Sequence, residues 1–235
     1  MTQRKTVVFL VDVDNTLMNN DSIQEDLKRH IERKFGTECR DRFWTIQEKL
    51  FEELGYRDYL GALQRFRVEN PYEPHLVTAA TFLVDYPFAN RIYPGALDVL
   101  EKFRTWGRTV ILSDGDVVFQ PRKVERSGIF EAVEGHVLIY IHKEESLQDV
   151  MRRYPAEHYV VVDDKLRILT AIKKYWGGRV TTVFPRQGKF ANDPQTIASY
   201  PPADVSVDRI GRLLEFELAD LLTDTRSSRQ TTKSA

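Results

Sequence analysis

The chain lacks three features that would assign it to a special class of protein. It has one cysteine, Cys39, in 235 residues, which excludes an internal disulfide framework and a cysteine-rich zinc site. No apolar run approaches the roughly 20 residues that a helix needs to span a bilayer. The 34 basic and 35 acidic side chains balance to a formal charge of −1, which leaves no broad basic field for nucleic acid or an anionic membrane.

The N-terminus also lacks the pattern of a secretory signal peptide, because acids rather than a small-residue cleavage site follow "MTQRKTVVFL". From these absences we expect a cytoplasmic protein with no nucleic-acid and no membrane partner. The remaining composition, 42% hydrophobic and 29% charged, is ordinary for a globular protein. The length suits one large domain or two small ones and does not reveal the oligomeric state.

Five continuous apolar segments are typical of strands that are buried on both faces of a sheet. They are VVFLV at 7–11, RTVIL at 108–112, HVLIYI at 136–141, HYVVV at 158–162 and RVTTVF at 179–184. Helix-like stretches at 94–107, 146–154 and 166–178 separate the later ones. This alternation predicts an α/β fold, a three-layer Rossmann-like core with a parallel sheet.

Residues 21–86 interrupt that alternation, because they have helical periodicity and no strand pattern. Ser22 and Glu25 have the spacing of a capping box, and four amphipathic helices follow. We therefore predict an all-helical cap domain, a four-helix bundle, inserted at 18–87 into a core of 1–17 and 88–222. The polar tail, 223–235, is predicted to be disordered.

Charged and hydroxyl side chains follow several of the predicted strands. The first strand runs directly into Asp12 and Asp14, which an Asx turn alone could explain. In open parallel sheets, however, ligands bind at the carboxyl ends of the strands. Other strand ends carry further candidates: Ser113, Gly115, Lys143, Asp163 and Asp164. Four acids, one hydroxyl and one amine are therefore expected to meet at one edge of the sheet.

The segments DVDNTL, ILSDG and VVVDD, with Lys143 between the last two, resemble the four motifs of the haloacid dehalogenase superfamily in order and spacing. The inserted helices resemble the cap of its phosphoglycolate-phosphatase-like members. The resemblance implies a Mg²⁺-dependent phosphatase that acts on a small phosphorylated metabolite through an aspartyl phosphate. A carboxylate nucleophile divides such a displacement into two steps, and a hard cation with oxygen ligands offsets the charge.

The resemblance also implies a role for each motif residue. Asp12 would be the nucleophile and a metal ligand. Asp14 would give its backbone carbonyl to the metal and act as general acid and then base. Asp164 would be the direct metal ligand of the last motif, with Asp163 acting directly or through a water.

The remaining motif residues would bind the phosphoryl group. Ser113 and the backbone N–H groups of Asp114 and Gly115 would hold phosphoryl oxygens, and Lys143 would neutralise charge. Lys165 is the alternative active-site lysine, and Glu144 stands where the family often has proline. Arg57, in a predicted cap loop, would contact the substrate or simply be solvated.

Three other functions stay open at the level of sequence. A sugar phosphomutase uses the same residues, and a binding protein could keep the fold without turnover. A haloacid dehalogenase is disfavoured by Asp14, because such enzymes expel halide and lack an acid at that position. Phosphate release would separate these hypotheses.

Overall fold

The structure, a computed structural model, describes residues 6–222 of the chain. The predicted disordered tail at 223–235 lies outside the described residues. Within them, no helix is both long and apolar enough to cross a membrane.

Six parallel strands form a single sheet in the order β3-β2-β1-β4-β5-β6. The strands are β1 (Val7–Val11), β2 (Arg108–Asp114), β3 (Val137–Tyr140), β4 (His158–Val162), β5 (Val180–Pro185) and β6 (Val205–Val207). The first five are the predicted ones, whereas the three-residue edge strand β6 was not predicted. All five residues of β1 are buried, as expected for a central strand of a doubly covered sheet.

Helices cover both faces of this sheet, so the predicted three-layer Rossmann-like α/β fold is confirmed. One apolar core includes Phe9 and Phe103, whose rings stack at 4.3 Å between centroids. The core on the other face includes Tyr159 and Trp176, stacked at 4.2 Å. The α-helices that follow the insertion within the described residues are α5 (Ala96–Trp106), α6 (Phe119–Arg126), α7 (Ile129–Ala132), α8 (Leu147–Arg153), α9 (Leu166–Trp176), α10 (Gly188–Ala191), α11 (Pro194–Ala198) and α12 (Leu218–Leu222).

Four helices between β1 and β2 form the inserted helical part of the fold. They are α1 (Asn20–Phe35), α2 (Thr37–Leu54), α3 (Tyr59–Glu69) and α4 (Leu76–Val84). Their facing sides bury residues such as Leu27, Phe43, Leu50 and Phe66. The bounds of the cap and core domains, 18–87 and the flanking segments, stay a prediction.

The start of α1 differs from the predicted capping box. Asn19 is the N-cap, and its side-chain oxygen accepts a hydrogen bond from the backbone N–H of Ser22 at 2.9 Å. The helix therefore begins two residues earlier than Ser22, because asparagine is as good a cap as serine. Asn19 also donates its backbone N–H to the carbonyl oxygen of Arg91 at 2.8 Å, so the two chain connections of the helical insertion lie side by side.

Candidate active site

The register of the central strands places the predicted acids next to one another. Val11 of β1 pairs with Val162 of β4, and an aspartate directly follows each of these two residues. Side-chain oxygens of Asp12, Asp163 and Asp164 lie within 4.8 Å of one another. All three residues are at most 4% exposed. The two strand ends thus produce one buried acidic cluster.

Lys143 inserts its ammonium group into this cluster. It follows β3 in a short 3₁₀ turn, and its Nζ lies 2.5 Å from Asp12 Oδ1 and 2.6 Å from Asp163 Oδ2. Burial opposes the charge of Lys143, but Asp12 and Asp163 raise the pKa of the ammonium well above its usual value. Lys165, the alternative lysine, makes no ion pair within 4.0 Å with any residue in 6–222. Lys143 is therefore the lysine that contacts the predicted nucleophile.

Three carboxylate oxygens of the cluster accept no hydrogen bond from any described residue: Asp12 Oδ2, Asp164 Oδ1 and Asp164 Oδ2. Buried polar atoms normally have a partner, and buried carboxylates are costly without one. Burial raises the pKa of Asp163 to about 6 and raises that of Asp164 well above its ordinary value. Oxygen ligands that lack partners are what Mg²⁺ or a similar hard cation requires. The donor set therefore fits a metal ion.

The end of β2 contributes the predicted phosphoryl-binding residues. Ser113 is buried, and its Oγ accepts a hydrogen bond from Gln120 Nε2 at 2.9 Å. The Asp114 carboxylate accepts the backbone N–H of Lys143 at 2.8 Å, which connects the ends of β2 and β3. The backbone N–H of Gly115 donates to the carbonyl oxygen of Tyr140 at 3.0 Å, so it is engaged in this structure.

Asp14 lies at the surface of the site and has a partner that sequence reasoning missed. Its side chain is 26% exposed, and its Oδ1 accepts a hydrogen bond from Lys123 Nζ at 2.6 Å. Lys123 belongs to α6, a helix that was not predicted because Pro121 interrupts its pattern. Proline is tolerated in the first turn of a helix, so Pro121 is compatible with a helix that starts just before it. The signal in the sequence for such a start is Asp116, since aspartate is common immediately before helices. Asp116 Oδ1 accepts the backbone N–H groups of Val118 and Phe119 at 2.8 and 2.6 Å, at the start of α6.

The other polar residues of the first motif stabilise the loop itself. Asn15 has a φ of +61°, a left-handed conformation that asparagine tolerates better than most residues, and its Oδ1 accepts the N–H of Asn20 at 3.0 Å. The hydroxyl of Thr16 accepts the N–H of Asp164 at 3.0 Å. Asn15 thus connects the motif to the start of α1, and Thr16 connects it to the acid pair.

A cavity of about 530 Å³ opens between the sheet edge and the helical insertion. Asp14 and Asp114 line it from the sheet side. Arg57, in the segment that joins α2 to α3, and Tyr59, the first residue of α3, line it from the helical insertion. Arg57 also forms an ion pair with Glu48 at 2.9 Å. Asp12 is 4% exposed and is not among the described residues that line the cavity.

A Rossmann-like core with a buried acidic cluster at its strand ends points to one family of hydrolases. The family model of the haloacid dehalogenase-like hydrolases matches residues 6–174, and the chain belongs to that family of hydrolytic enzymes. A haloacid dehalogenase-like hydrolase from Burkholderia xenovorans LB400 is 60% identical, with 91% of this chain and 99% of that chain covered and a TM-score of 0.87. No match was found among curated proteins.

Two more distant structures share the fold. The HAD-hydrolase YfnB from Bacillus subtilis, solved with bound magnesium, has a TM-score of 0.60 at 14% identity, covering 91% of this chain and 98% of that one. The L-2-haloacid dehalogenase from Xanthobacter autotrophicus, solved with chloropropionic acid covalently bound, has a TM-score of 0.57 at 17% identity, covering 88% and 96%. A magnesium-bound hydrolase and a haloacid dehalogenase therefore share this fold.

Proposed function

We propose that the protein is a Mg²⁺-dependent phosphatase for a small phosphorylated metabolite. The observation that carries this proposal is the carboxyl group of Asp14, which lines the cavity two residues after Asp12. A phosphate ester expels an alkoxide that needs a proton, whereas a halide leaves without one. A carboxyl group on the cavity wall thus has a task in ester hydrolysis that it lacks in dehalogenation.

The protein residues divide the reaction between them. Asp12 attacks phosphorus, so that an Asp12 O–P bond forms while the bond from phosphorus to the leaving oxygen breaks. The electron pair of the broken bond stays on the leaving oxygen, which takes a proton from Asp14. Asp14 then removes a proton from the water that hydrolyses the aspartyl phosphate. Lys143, 2.5 Å from Asp12, holds positive charge beside the attacking carboxylate.

Asp12, Asp164 and Asp163, with the backbone carbonyl of Asp14, are the residues that would hold the metal. Mg²⁺ bound there would offset the negative charge that the carboxylate and the phosphoryl group bring together. The three carboxylate oxygens without a partner support this assignment. The magnesium-bound YfnB is a fold relative and supports the choice of cation.

The cavity volume favours a small substrate. About 530 Å³ falls within the range of roughly 300–1,000 Å³ that small-molecule sites occupy. Its wall combines aromatic rings such as Tyr59 with charged groups such as Arg57. A folded phosphoprotein would not fit between the sheet edge and the helical insertion.

Phosphate release from p-nitrophenyl phosphate and from a panel of metabolite phosphates tests the proposal. We expect turnover with Mg²⁺, none with a chelator, and a loss of at least about 1,000-fold in Asp12→Asn, which lacks the nucleophile. Asp98→Asn, which changes an exposed acid of α5, is the matched control and should keep full activity. Chloride release from 2-chloropropionate without metal would contradict the proposal, as would phosphate release that survives Asp12→Asn.

A further inference from the structure

Lys123 is a buried lysine outside the four sequence motifs. Its side chain is 1% exposed, although α6 lies at the edge of the cavity. Its Nζ donates to Asp14 Oδ1 at 2.6 Å and to Asn20 Oδ1 at 3.2 Å, and it lies 5.2 Å from the centre of the Phe119 ring. These contacts enclose the ammonium group on several sides.

The burial of the Lys123 ammonium group requires a physical explanation. Burying a charge costs free energy, and an ion pair recovers that cost only when its geometry is good. Within residues 6–222, Asp14 is the only carboxylate that lies within 4.0 Å of Lys123 Nζ. A methionine of similar shape would fill the same space without the cost. The ammonium group is therefore best explained by what it does to Asp14.

The same face of α6 supports a second predicted site residue. Gln120 lies three residues before Lys123, so both side chains project from one side of the helix. Gln120 Nε2 donates to Ser113 Oγ at 2.9 Å, and Lys123 Nζ donates to Asp14 Oδ1 at 2.6 Å. One helix thus contacts two groups that the proposed reaction uses.

We propose that Lys123 is a positioning residue, which holds the Asp14 carboxyl group at the cavity wall in the orientation required for proton transfer to the leaving oxygen. This inference rests on the proposed phosphatase function. Asp14 follows a strand end and is 26% exposed, so its side chain has freedom to rotate unless something fixes it. The hydrogen bond from Lys123 fixes one of its oxygens and leaves the other for the substrate.

The test is the dependence of kcat/KM on the leaving group in Lys123→Met. This parameter covers the steps up to departure of the leaving group. p-Nitrophenolate leaves without a proton, whereas the alkoxide of glycerol 3-phosphate requires one. We expect kcat/KM to fall about 100-fold for glycerol 3-phosphate, the loss typical of a misplaced catalytic group, and less than about 5-fold for p-nitrophenyl phosphate.

Two further variants control the experiment. Lys123→Arg keeps a cation that can reach Asp14. Its kcat/KM for glycerol 3-phosphate should be about tenfold higher than that of Lys123→Met. Lys173→Met removes a lysine–aspartate ion pair of similar length, 2.7 Å to Asp204, from a position that is not among the described residues lining the cavity. It should leave kcat/KM for both esters unchanged.

The outcomes are distinct. An equal loss on the two esters, or no loss on either, overturns the positioning role of Lys123 even if the wild-type protein is an active phosphatase. If the wild-type protein releases phosphate from neither ester nor any member of the metabolite panel, the proposed function fails, and a crystal structure of Lys123→Met still decides the inference. Asp14 in more than one rotamer would support positioning by Lys123, and an unchanged single rotamer would overturn it.

Discussion

Replacing Lys143 with methionine should leave an uncompensated pair of carboxylates in the centre of the site. Lys143 Nζ contacts Asp12 at 2.5 Å and Asp163 at 2.6 Å. Methionine keeps the unbranched stem and removes the ammonium group. The variant therefore isolates the contribution of charge from that of packing.

The size of the effect follows from the burial of the three side chains, which are 1% exposed for Lys143 and Asp163 and 4% exposed for Asp12. Breaking a buried ion pair by removing one partner costs about 3–5 kcal/mol, and the solvent gives little screening here. At roughly 2–4 °C per kcal/mol for a chain of this size, the Tm of metal-free protein should fall by about 6–20 °C.

The loss of stability should depend on pH in a defined direction. Burial raises the pKa of Asp163 to about 6, and Lys143 opposes that rise, so removing Lys143 moves this pKa further upward. A carboxyl group whose pKa is higher in the folded than in the unfolded state destabilises the fold when it is ionised. This destabilisation is complete only above the folded-state pKa, because below it the folded protein binds a proton. The difference in Tm between wild type and Lys143→Met should thus be larger at pH 8 than at pH 5.

Thermal unfolding in chelator at the two pH values measures this prediction. Lys28→Met, which breaks an exposed ion pair of 3.0 Å with Glu25, is the control and should cost no more than about 1 kcal/mol. A Tm within 2 °C of wild type for Lys143→Met at pH 8, or a larger deficit at pH 5, would refute the reasoning that the cluster is held together by this one cation.

Two further predictions concern the metal ligands and the helical insertion. Asp164→Asn should abolish Mg²⁺ binding in calorimetry and yet raise the stability of the metal-free protein by about 1–3 kcal/mol, because a costly buried charge is removed; unchanged Mg²⁺ affinity would contradict this. Gly55→Ala should lower Tm by roughly 2–8 °C, since alanine at φ +77° costs about 1–2 kcal/mol. The same variant should raise KM, because the added Cβ would lie 2.4 Å from His142 Cε1. Gly178→Ala, which meets no atom within 4 Å, is the control, and an equal change in both variants would count against a role for that contact.

Most of the core fold was predictable because its strands are buried on both faces. Val7–Val11 and His158–Val162 stand out as unbroken apolar runs and were predicted with the bounds that the structure has. The missed elements lack such patterns. β6 has three residues and is partly exposed at the sheet edge, and α6 contains Pro121 and polar residues that tertiary contacts bury.

The site was predictable to the extent that it depends on strand ends. Parallel strands bring their carboxyl ends to one edge, so Asp12, Asp163 and Lys143 could be expected to meet. Sequence order could not decide between Lys143 and Lys165, since both follow a strand, and only the packed structure shows which ammonium group reaches Asp12. The contact between Lys123 and Asp14 joins residues 109 positions apart and had no motif to indicate it.

The two adjacent acids after β4 have different surroundings, and this difference bears on which of them binds the metal directly. Asp163 Oδ1 accepts the backbone N–H of Lys165 at 2.8 Å, and its Oδ2 pairs with Lys143, so both of its oxygens are engaged. Both oxygens of Asp164 lack a partner among residues 6–222. A metal ion gains most from the oxygens that nothing else stabilises, because binding them removes the largest desolvation cost. We therefore infer that Asp164 is the direct ligand, and that Asp163 chiefly holds Lys143 against Asp12.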